Sequence, residues 1–319
     1  MNQTLDSNLF EVIIIDDGSN DDSSTIIKEF IDNHLTETSP NFIYHRKLNE
    51  GLSVARNSGL KKSNAQYVVY VDEDAIALPD YLSVILEYFD THPNVNCLGG
   101  EVELYNTDNK FARLLQDSIF SLYMKNEGAI IGTNMAYRKD FLIDINGFQP
   151  EFTYRGDETA LFEKAKGRLV KGRCKKMRVK HFQPANLKIW LKTRSENGYF
   201  KAAIDLFAKK SIVQLCFNLL KSCLIISLPI QIFLIFLLIP SHTIYAFIMS
   251  VFTISLILQK FILNNVVRDT LIEFKINRNT KTNLKDAATI SFMIVIGEYL
   301  ANIGYVRGLR KYRNTKWVV

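Results

Sequence analysis

The sequence predicts an α/β fold, and two observations carry that prediction. Two short runs, Glu11–Asp16 (EVIIID) and Tyr67–Asp72 (YVVYVD), are almost continuously apolar, and each ends in an acid. Such runs are typical of parallel strands that are buried on both faces. Helical patterns alternate with them, one after the polar run Ser19–Ser23 and one opened by Pro79. This alternation indicates a sheet covered by helices, with ligands at the carboxyl ends of its strands.

The composition is that of a folded protein. The chain has 319 residues, of which 47% are hydrophobic and 23% are charged, so it can bury a core. The length suits one medium catalytic domain and a smaller second part. A formal net charge of +6 is modest, and no nucleic-acid partner is predicted. The four cysteines show no metal-ligand spacing, which predicts reduced, incidental thiols.

A change in composition near residue 210 predicts a domain boundary. Residues 1–210 mix polar and apolar side chains, whereas 211–319 contain largely apolar stretches at about 222–239 and 244–263. Each approaches the ~20 residues that cross a bilayer, so two transmembrane helices are predicted, with two buried helices of a soluble core as the alternative. A third apolar stretch, about 287–305, has cationic flanks and predicts an interfacial or re-entrant helix, with a third span as the alternative.

Two carboxylates, Asp72 and Asp74, follow the second predicted strand on either side of Glu73. Carboxylates at this spacing can share a divalent cation. Mg²⁺ takes few protein carboxylates and completes its shell with water and substrate phosphates. A metal held in this way neutralises charge that grows on a departing phosphate. The alternative is a solvated acidic turn, because the D-x-D pattern is common.

A second acidic cluster, Asp16-Asp17-Gly18, ends the first predicted strand. A carboxylate here can accept hydrogen bonds from a ribose hydroxyl or a base N–H, as acids do in other doubly wound folds. Gly18 permits the sharp turn, and helix N-capping is the alternative role for the acids. Further on, Arg56 lies inside a predicted helix, where it can meet either a phosphate or one of the strand-end carboxylates.

A later acidic pair, Asp157-Glu158, opens another helical pattern after Gly156. Transfer of a group to a hydroxyl needs one general base on that hydroxyl, and a carboxylate at a helix start suits that role. The alternative is a pair of acids favoured by the helix dipole. His181 is a candidate metal or phosphate ligand, with a structural role as the alternative. It follows a cationic block, 164–180, which suits anionic lipid headgroups, a phosphate-linked acceptor, or simply a solvated face.

Taken in order, these clusters resemble a family 2 glycosyltransferase of the GT-A fold. The matching segments are EVIIIDDGSNDDS, NEGLSVARNSGL, YVVYVDEDA and GTNMAYRKDFLIDINGFQPEFTYRGDETAL, which span about Asn2 to Gly198. The resemblance implies a Rossmann-like domain that binds a nucleotide-diphosphate sugar, Mg²⁺ or Mn²⁺ as cofactor, and inverting transfer. It places Asp17 on the nucleotide and makes Asp74 the metal ligand ahead of Asp72.

Three departures from the family pattern matter. The base motif, usually Glu-Asp-x-Asp, stands here as Asp157-Glu158-Thr159-Ala160, so either Glu158 or Asp157 is the base. The Q-x-x-R-W pattern of processive members is absent near Trp190 and Arg194, which favours addition of a single sugar. Family members also begin with a strand and a loop that cups the nucleotide, and this sequence starts after the equivalent of both. We therefore expect that the natural protein is longer, with an inactive copy as the alternative.

The sequence thus predicts a multi-pass enzyme of the inner (cytoplasmic) membrane whose catalytic domain faces the cytoplasm. Its predicted substrates are a nucleotide-diphosphate sugar, with a UDP-sugar favoured, and a lipid-linked or surface-glycan acceptor, as in polysaccharide biosynthesis. Two alternatives are an inactive, membrane-tethered binding protein and a metal-dependent nucleotidyl or phosphoryl transferase. The absence of a P-loop disfavours the latter.

Overall fold

The computed structural model describes residues 2–36, 39–120, 130–238 and 284–317. The chain divides into two compact units. The first contains Met1–Asp108, Tyr123–Gln183 and Trp317–Val319, and the second contains Asn109–Leu122 and Pro184–Lys316. The boundary predicted near residue 210 falls inside the second unit.

The first unit opens with a β-α-β arrangement. β1 (Glu11–Asp16) pairs in parallel with β2 (Asn41–Arg46), and α1 (Ser23–His34) connects them. The predicted first strand is confirmed, but burial of both its faces is not, because only Asp16 of β1 is fully buried. The physical reason is that β1 pairs along one edge in the described part of the chain, and α1 has no buried residue to cover it.

The first unit also contains a separate five-stranded sheet. Its strands are β3 (Tyr67–Tyr70), β4 (Ala75–Ala77), β5 (Cys97–Leu104), β6 (Met135–Arg138) and β7 (Lys171–His181). They lie in the order β3-β6-β5-β7-β4. Among the described pairs of this sheet, only β5 and β7 run parallel.

The second predicted strand therefore needs a correction. β3 pairs antiparallel with β6 and ends at Tyr70, whereas the sequence predicted a parallel strand that continues to Asp72. It ends early because the chain turns at Asp72, whose carbonyl accepts a hydrogen bond from Ala75 N at 3.0 Å. Asp72 thus lies in the turn that joins β3 to β4.

Helices pack on this sheet and complete the core of the first unit. They are α2 (Leu52–Lys62), α3 (Tyr81–Thr91), α5 (Lys139–Asp144) and α6 (Asp157–Lys164). The fully buried Tyr137, Phe148 and Leu161 lie in one apolar cluster that joins β6 to α6. Burying such side chains stabilises the fold by roughly 1.5–3 kcal/mol each, so the start of α6 is firmly anchored.

The second unit is helical in its described residues. It contains α4 (Lys110–Leu115), a π-helical turn (Gln116–Phe120), α7 (Leu187–Phe207), α8 (Ile212–Leu238) and α9 (Leu284–Tyr312). α7 and α9 approach closely because glycines of one helix lie against the backbone of the other. A Cβ added to Gly198 of α7 would overlap the backbone of Ala301 in α9. Arg194 of α7 also donates to Glu298 of α9 at 2.5 Å.

One buried carboxylate joins three helices of this unit. Asp205 is 0% exposed and accepts hydrogen bonds from four side chains. The donors are Lys201 (3.0 Å), Lys210 (2.6 Å), Asn218 (3.1 Å) and Tyr305 (3.0 Å). They come from α7, α8, α9 and the segment between α7 and α8. Asp205 therefore acts as a shared acceptor that fixes these helices together.

The four cysteines carry free thiols, as predicted. Cys97 of β5 and Cys174 of β7 are buried in the first unit, whereas Cys216 and Cys223 of α8 are exposed. Burial raises the pKa of the Cys97 thiol to about 12.

The predicted membrane location is contradicted. Across the described residues, no helix combines the length with the apolar character that a bilayer crossing requires. This finding overturns the expectation of a multi-pass protein of the inner membrane in that part of the chain. The predicted span at about 222–239 coincides with the end of α8, and the stretch at about 287–305 lies within α9. The span predicted at 244–263 lies outside the described residues.

Candidate active site

The acid that ends β1 holds its own turn together. Asp16 accepts a hydrogen bond from the backbone N–H of Ser19 at 2.7 Å and from the hydroxyl of Tyr44 at 2.8 Å. The N–H of Ser19 is the main reason that the pKa of Asp16 is lowered, and Tyr44 and Arg46 add to it against the effect of burial. Asp16 is thus a turn-forming carboxylate, and Ser19 donates to it rather than capping α1.

Asp17 binds the loop that leads into α2. Its carboxylate accepts from Lys47 Nζ at 2.6 Å and from the backbone N–H groups of Glu50 (3.1 Å) and Gly51 (2.7 Å). Burial alone would lower the pKa of Lys47, but hydrogen bonds to Asp17 and Glu50 outweigh that effect and raise it. Gly18, with φ of +81°, brings this turn against Asn49. Asp17 and Gly18 therefore form one cluster with the β2–α2 loop.

Replacing Gly51 with alanine should destabilise the first unit by about 2 kcal/mol or more. Gly51 has φ of +92°, and an added Cβ would lie 2.5 Å from Thr153 Cβ. Gly167→Ala is a matched control, because its φ of +87° is as unfavourable but nothing lies within 4 Å of its added Cβ. Urea denaturation should show the control losing only about 1 kcal/mol. Equal losses would mean that Thr153 moves aside freely.

The centre of the candidate site is Arg56. It is 7% exposed, and its Nη2 donates to Asp72 Oδ1 at 2.9 Å and to the carbonyl of Gly132 at 3.2 Å. Its Nη1 donates to Asp157. The rings of Tyr70 and Phe148 lie beside the guanidinium, at 5.8 and 5.6 Å from its central carbon. The sequence left open a phosphate or a strand-end carboxylate as the partner of Arg56. The structure shows the strand-end carboxylate of Asp72 and adds the helix-start Asp157, which was not predicted.

The helix-start acids lie at the other end of this cluster. α6 begins after Gly156, whose φ is +80°, and Asp157 is 1% exposed. Glu158 keeps part of its surface accessible. Desolvation first, and then the neighbouring Asp157, raise the pKa of Glu158 to about 8, while Arg56 acts in the opposite direction. Ala160, where the family pattern has an acid, is fully buried in the core.

Asp74 and His181 form a third cluster on the far edge of the sheet. Ala75 pairs with His181 across β4 and β7, which brings His181 Nε2 to 3.2 Å from Asp74 Oδ1. The Asp74 side chain is 50% exposed, and His181 Nδ1 is buried without a hydrogen-bond partner among the described residues.

No metal-binding group of three or more His, Cys, Asp or Glu side chains occurs in the part of the chain that the structure describes. An exposed carboxylate beside an imidazole is nevertheless a donor pair that suits Mn²⁺, and Mg²⁺ needs only one or two protein carboxylates when phosphates and water complete its shell. The chemistry of Asp74 and His181 therefore fits a metal that is shared with a phosphate ligand.

The structure brings some predicted residues together and separates others. Arg56, Asp72, Asp157 and Glu158 meet in one place, whereas Asp16, Asp17 and Gly18 belong to the loop cluster and Asp74 pairs with His181. Sequence reasoning missed Lys47, which binds both Asp17 and Glu50. It also missed the Gly132 carbonyl on Arg56. The cationic residue directly after β2 was the available signal for Lys47, but β2 itself was not predicted.

Comparison with known proteins assigns a family to the first part of the chain. Residues 1–145 match the model of the family described as glycosyl transferase family 2. This region is a family 2 glycosyltransferase domain. Its fold is GT-A-like, as predicted, and the mannosyltransferase PcManGT from Pyrobaculum calidifontis, solved with GDP-Man and Mn²⁺, is similar to it. That likeness has a TM-score of 0.54 at 13% identity and covers 97% of this chain and 81% of the other, so it bears on the fold alone.

Two curated relatives of the glycosyltransferase domain differ in how much they share with it. The minor teichoic acid biosynthesis protein GgaB of Bacillus subtilis is 30% identical over 120 residues, which is 35% of this chain and 13% of GgaB. The glucosyl-dolichyl phosphate glucuronosyltransferase of Haloferax volcanii is 20% identical over 216 residues, 61% of this chain and 67% of that protein. The chain thus spans only a small part of the first relative's length.

Proposed function

We propose that the chain is an inverting, metal-dependent glycosyltransferase. It moves a single sugar from a nucleotide-diphosphate sugar to a hydroxyl of a lipid-linked or surface-glycan acceptor. The observation that carries this proposal is the cluster at Arg56, where Asp72 from the end of β3 and Asp157 from the start of α6 meet beside Glu158. A carboxylate with a raised pKa in such a cluster is a candidate proton acceptor.

The donor is a nucleotide-diphosphate sugar, with a UDP-sugar favoured. Asp17 faces the nucleotide, and its bonds to the backbone of Glu50 and Gly51 pre-organise the β1 turn and the β2–α2 loop as one surface. The structural neighbour solved with GDP-Man and Mn²⁺ supports testing GDP beside UDP.

Asp74 and His181 are the proposed metal-binding side chains, with Asp72 oriented toward the same diphosphate. A bound Mg²⁺ or Mn²⁺ supplies positive charge that neutralises the departing nucleotide phosphate. Asp72 keeps 32% of its side chain exposed although one oxygen is on Arg56, so it retains surface for a ligand.

Glu158 is the proposed base, ahead of Asp157. The acceptor oxygen forms a bond to the anomeric carbon, the bond from that carbon to the phosphate oxygen breaks, and the hydroxyl proton passes to the Glu158 carboxylate. Asp157 is less suited because its carboxylate is buried against Arg56. Exposed cations of β7, Lys175 and Lys176, support an acceptor that carries phosphate.

Thermal unfolding tests the donor site. With Mn²⁺, the matching nucleotide among UDP, GDP and CMP should raise the melting temperature by about 5 °C at 100 times its Kd. Asp74→Ala should remove the metal-dependent part of that shift, whereas Asp32→Ala, an exposed carboxylate of α1, should leave it intact. A shift that needs no metal, or no shift with any nucleotide, would contradict the proposal.

A further inference from the structure

Arg56 lies at a point where the backbone is fixed on both sides. Ser53 Oγ donates to the carbonyl of Phe152 at 2.8 Å, and Asn57 exchanges two hydrogen bonds of 2.8 Å with the backbone of Phe148. These contacts join α2 to the segment that leads into α6. The position of Arg56 relative to Asp157 is therefore determined by several bonds besides its own.

The guanidinium has little capacity left for a phosphate. Both terminal nitrogens donate to carboxylates, and the rings of Tyr70 and Phe148 pack beside the group. Its side chain is 6% exposed. A residue that binds a nucleotide needs accessible donors, so this geometry does not suit the nucleotide-binding role predicted for Arg56.

The two carboxylates that pair with Arg56 differ in their exposure to solvent. The Asp72 side chain is 32% exposed, and that of Asp157 is 2% exposed. Asp72 therefore lies where a ligand can reach it, whereas Asp157 lies in the core beside Glu158. A planar guanidinium can hold both ends at once because its donors form a rigid fork.

The charged and titratable groups around Glu158 come from three elements. Asp157 is on its own helix, Arg56 comes from α2, and the buried hydroxyl of Tyr137 comes from β6. Asp157 disfavours ionisation of Glu158, and the guanidinium favours it. Arg56 thus influences the ionisation of Glu158 and also helps to fix the position of α6.

We propose that Arg56 is a positioning residue, which holds the ligand-facing Asp72 and the base-bearing start of α6 in one fixed relation. The inference rests on the proposed function, since Glu158 is the base there. In this role Arg56 does not contact the nucleotide. It connects Asp72, on the donor side of the site, with the helix start that carries Glu158, on the acceptor side.

Arg56→Lys tests the proposal, because lysine keeps the charge but cannot form the fork. Carboxyl ¹³C NMR titration should show the pKa of Glu158 rising by about 0.5 or more. The rate of sugar transfer should fall by about 10- to 100-fold, and the Kd for UDP or GDP should stay within about threefold. The midpoint of the pH–rate profile should rise with the pKa of Glu158.

Arg138→Lys is the matched control. Arg138 is also a guanidinium of the first unit that packs beside two aromatic rings, those of Tyr67 and Phe89, and it donates to the carbonyls of Val95 and Phe89. The same replacement there should leave the titration of Glu158 and the transfer rate unchanged.

Asp157→Asn provides an independent variant if Arg56→Lys does not fold. It removes the negative charge beside Glu158 but keeps an oxygen for Arg56, so the pKa of Glu158 should fall. A merely structural role for the cluster would leave that pKa unmoved in both variants and would overturn the inference. A tenfold or greater loss of nucleotide affinity in Arg56→Lys, without a change in the titration, would also overturn it and make Arg56 a nucleotide ligand.

The titration also separates this inference from the proposed function. If the wild-type chain transfers no sugar from any nucleotide donor, the proposed function fails. The titration of Glu158 in the two variants then still reports whether Arg56 controls its ionisation, because that measurement needs no turnover.

Discussion

Glu158→Gln should lower the rate of sugar transfer by about 10²- to 10⁴-fold, the usual contribution of a general base. Glutamine keeps the shape of the side chain but cannot accept a proton. In the wild-type enzyme the rate should rise with pH through about 8, because the proposed base, Glu158, can accept a proton only when its carboxylate is ionised. Initial rates measured from pH 6 to 9.5 check both points.

Glu163→Gln is the control for that experiment, since Glu163 is exposed on the same helix. Its rate and pH profile should match the wild type. A Glu158→Gln variant that retains more than about a tenth of the rate would move the role of base to Asp157.

Glu158→Gln should also make the protein more stable in alkaline solution. The folded pKa of Glu158 lies above its ordinary value of 4.5, so the folded state favours the protonated form. The stability that this provides is complete below pH 4.5 and is lost as the pH rises to about 8. Glutamine mimics the protonated form, and the variant should melt about 3 °C or more above the wild type at pH 9 but close to it at pH 5.

Asp205→Ala should destabilise the second unit by about 3–5 kcal/mol, the usual cost of removing one partner from a buried ion pair. The substitution leaves Lys201, Lys210 and Tyr305 without the acceptor that they share. Denaturant unfolding, followed by a signal from the helices, measures the loss. Lys192→Ala removes an exposed ion pair of the same unit and should cost less than about 1 kcal/mol.

The effect of Asp205 should depend on pH. Desolvation would raise the pKa of Asp205, but hydrogen bonds from Lys210 and Lys201 outweigh it, so its pKa is lowered in the folded protein. Its contribution is therefore complete above the ordinary value of 3.8 and is lost as the pH falls through the folded pKa. The difference in the free energy of unfolding between the wild type and Asp205→Ala should become smaller in acid. A difference that stays constant down to pH 2 would contradict this account.

Local patterns in the sequence were enough to predict some elements. The run Glu11–Asp16 is a strand with the predicted bounds, because apolar residues favour a strand whatever it pairs with. The helix that begins at Asp157 was predicted from Gly156 and the acidic pair after it. These elements depend on neighbours in the sequence, which a sequence displays directly.

Partners distant in the sequence were not predictable in the same way. The residues around Tyr67 indicated a strand but not that it pairs antiparallel with β6. β4 has only three residues, too few for a pattern, yet it places Asp74 beside His181. For Arg56 the sequence left open a phosphate or a carboxylate, and the choice follows from the contacts that fix α2 against the segment 148–153.

The distribution of the thiols makes the two units chemically distinguishable without mutagenesis. Alkylating reagents attack the thiolate, and Cys97 and Cys174 are buried, with the pKa of Cys97 raised to about 12. Cys216 and Cys223 are exposed, and both lie on α8 of the second unit. A maleimide fluorophore under native conditions should therefore label the helical unit and leave the candidate active site unmodified. Labelling at Cys97 or Cys174 then reports that the first unit has opened.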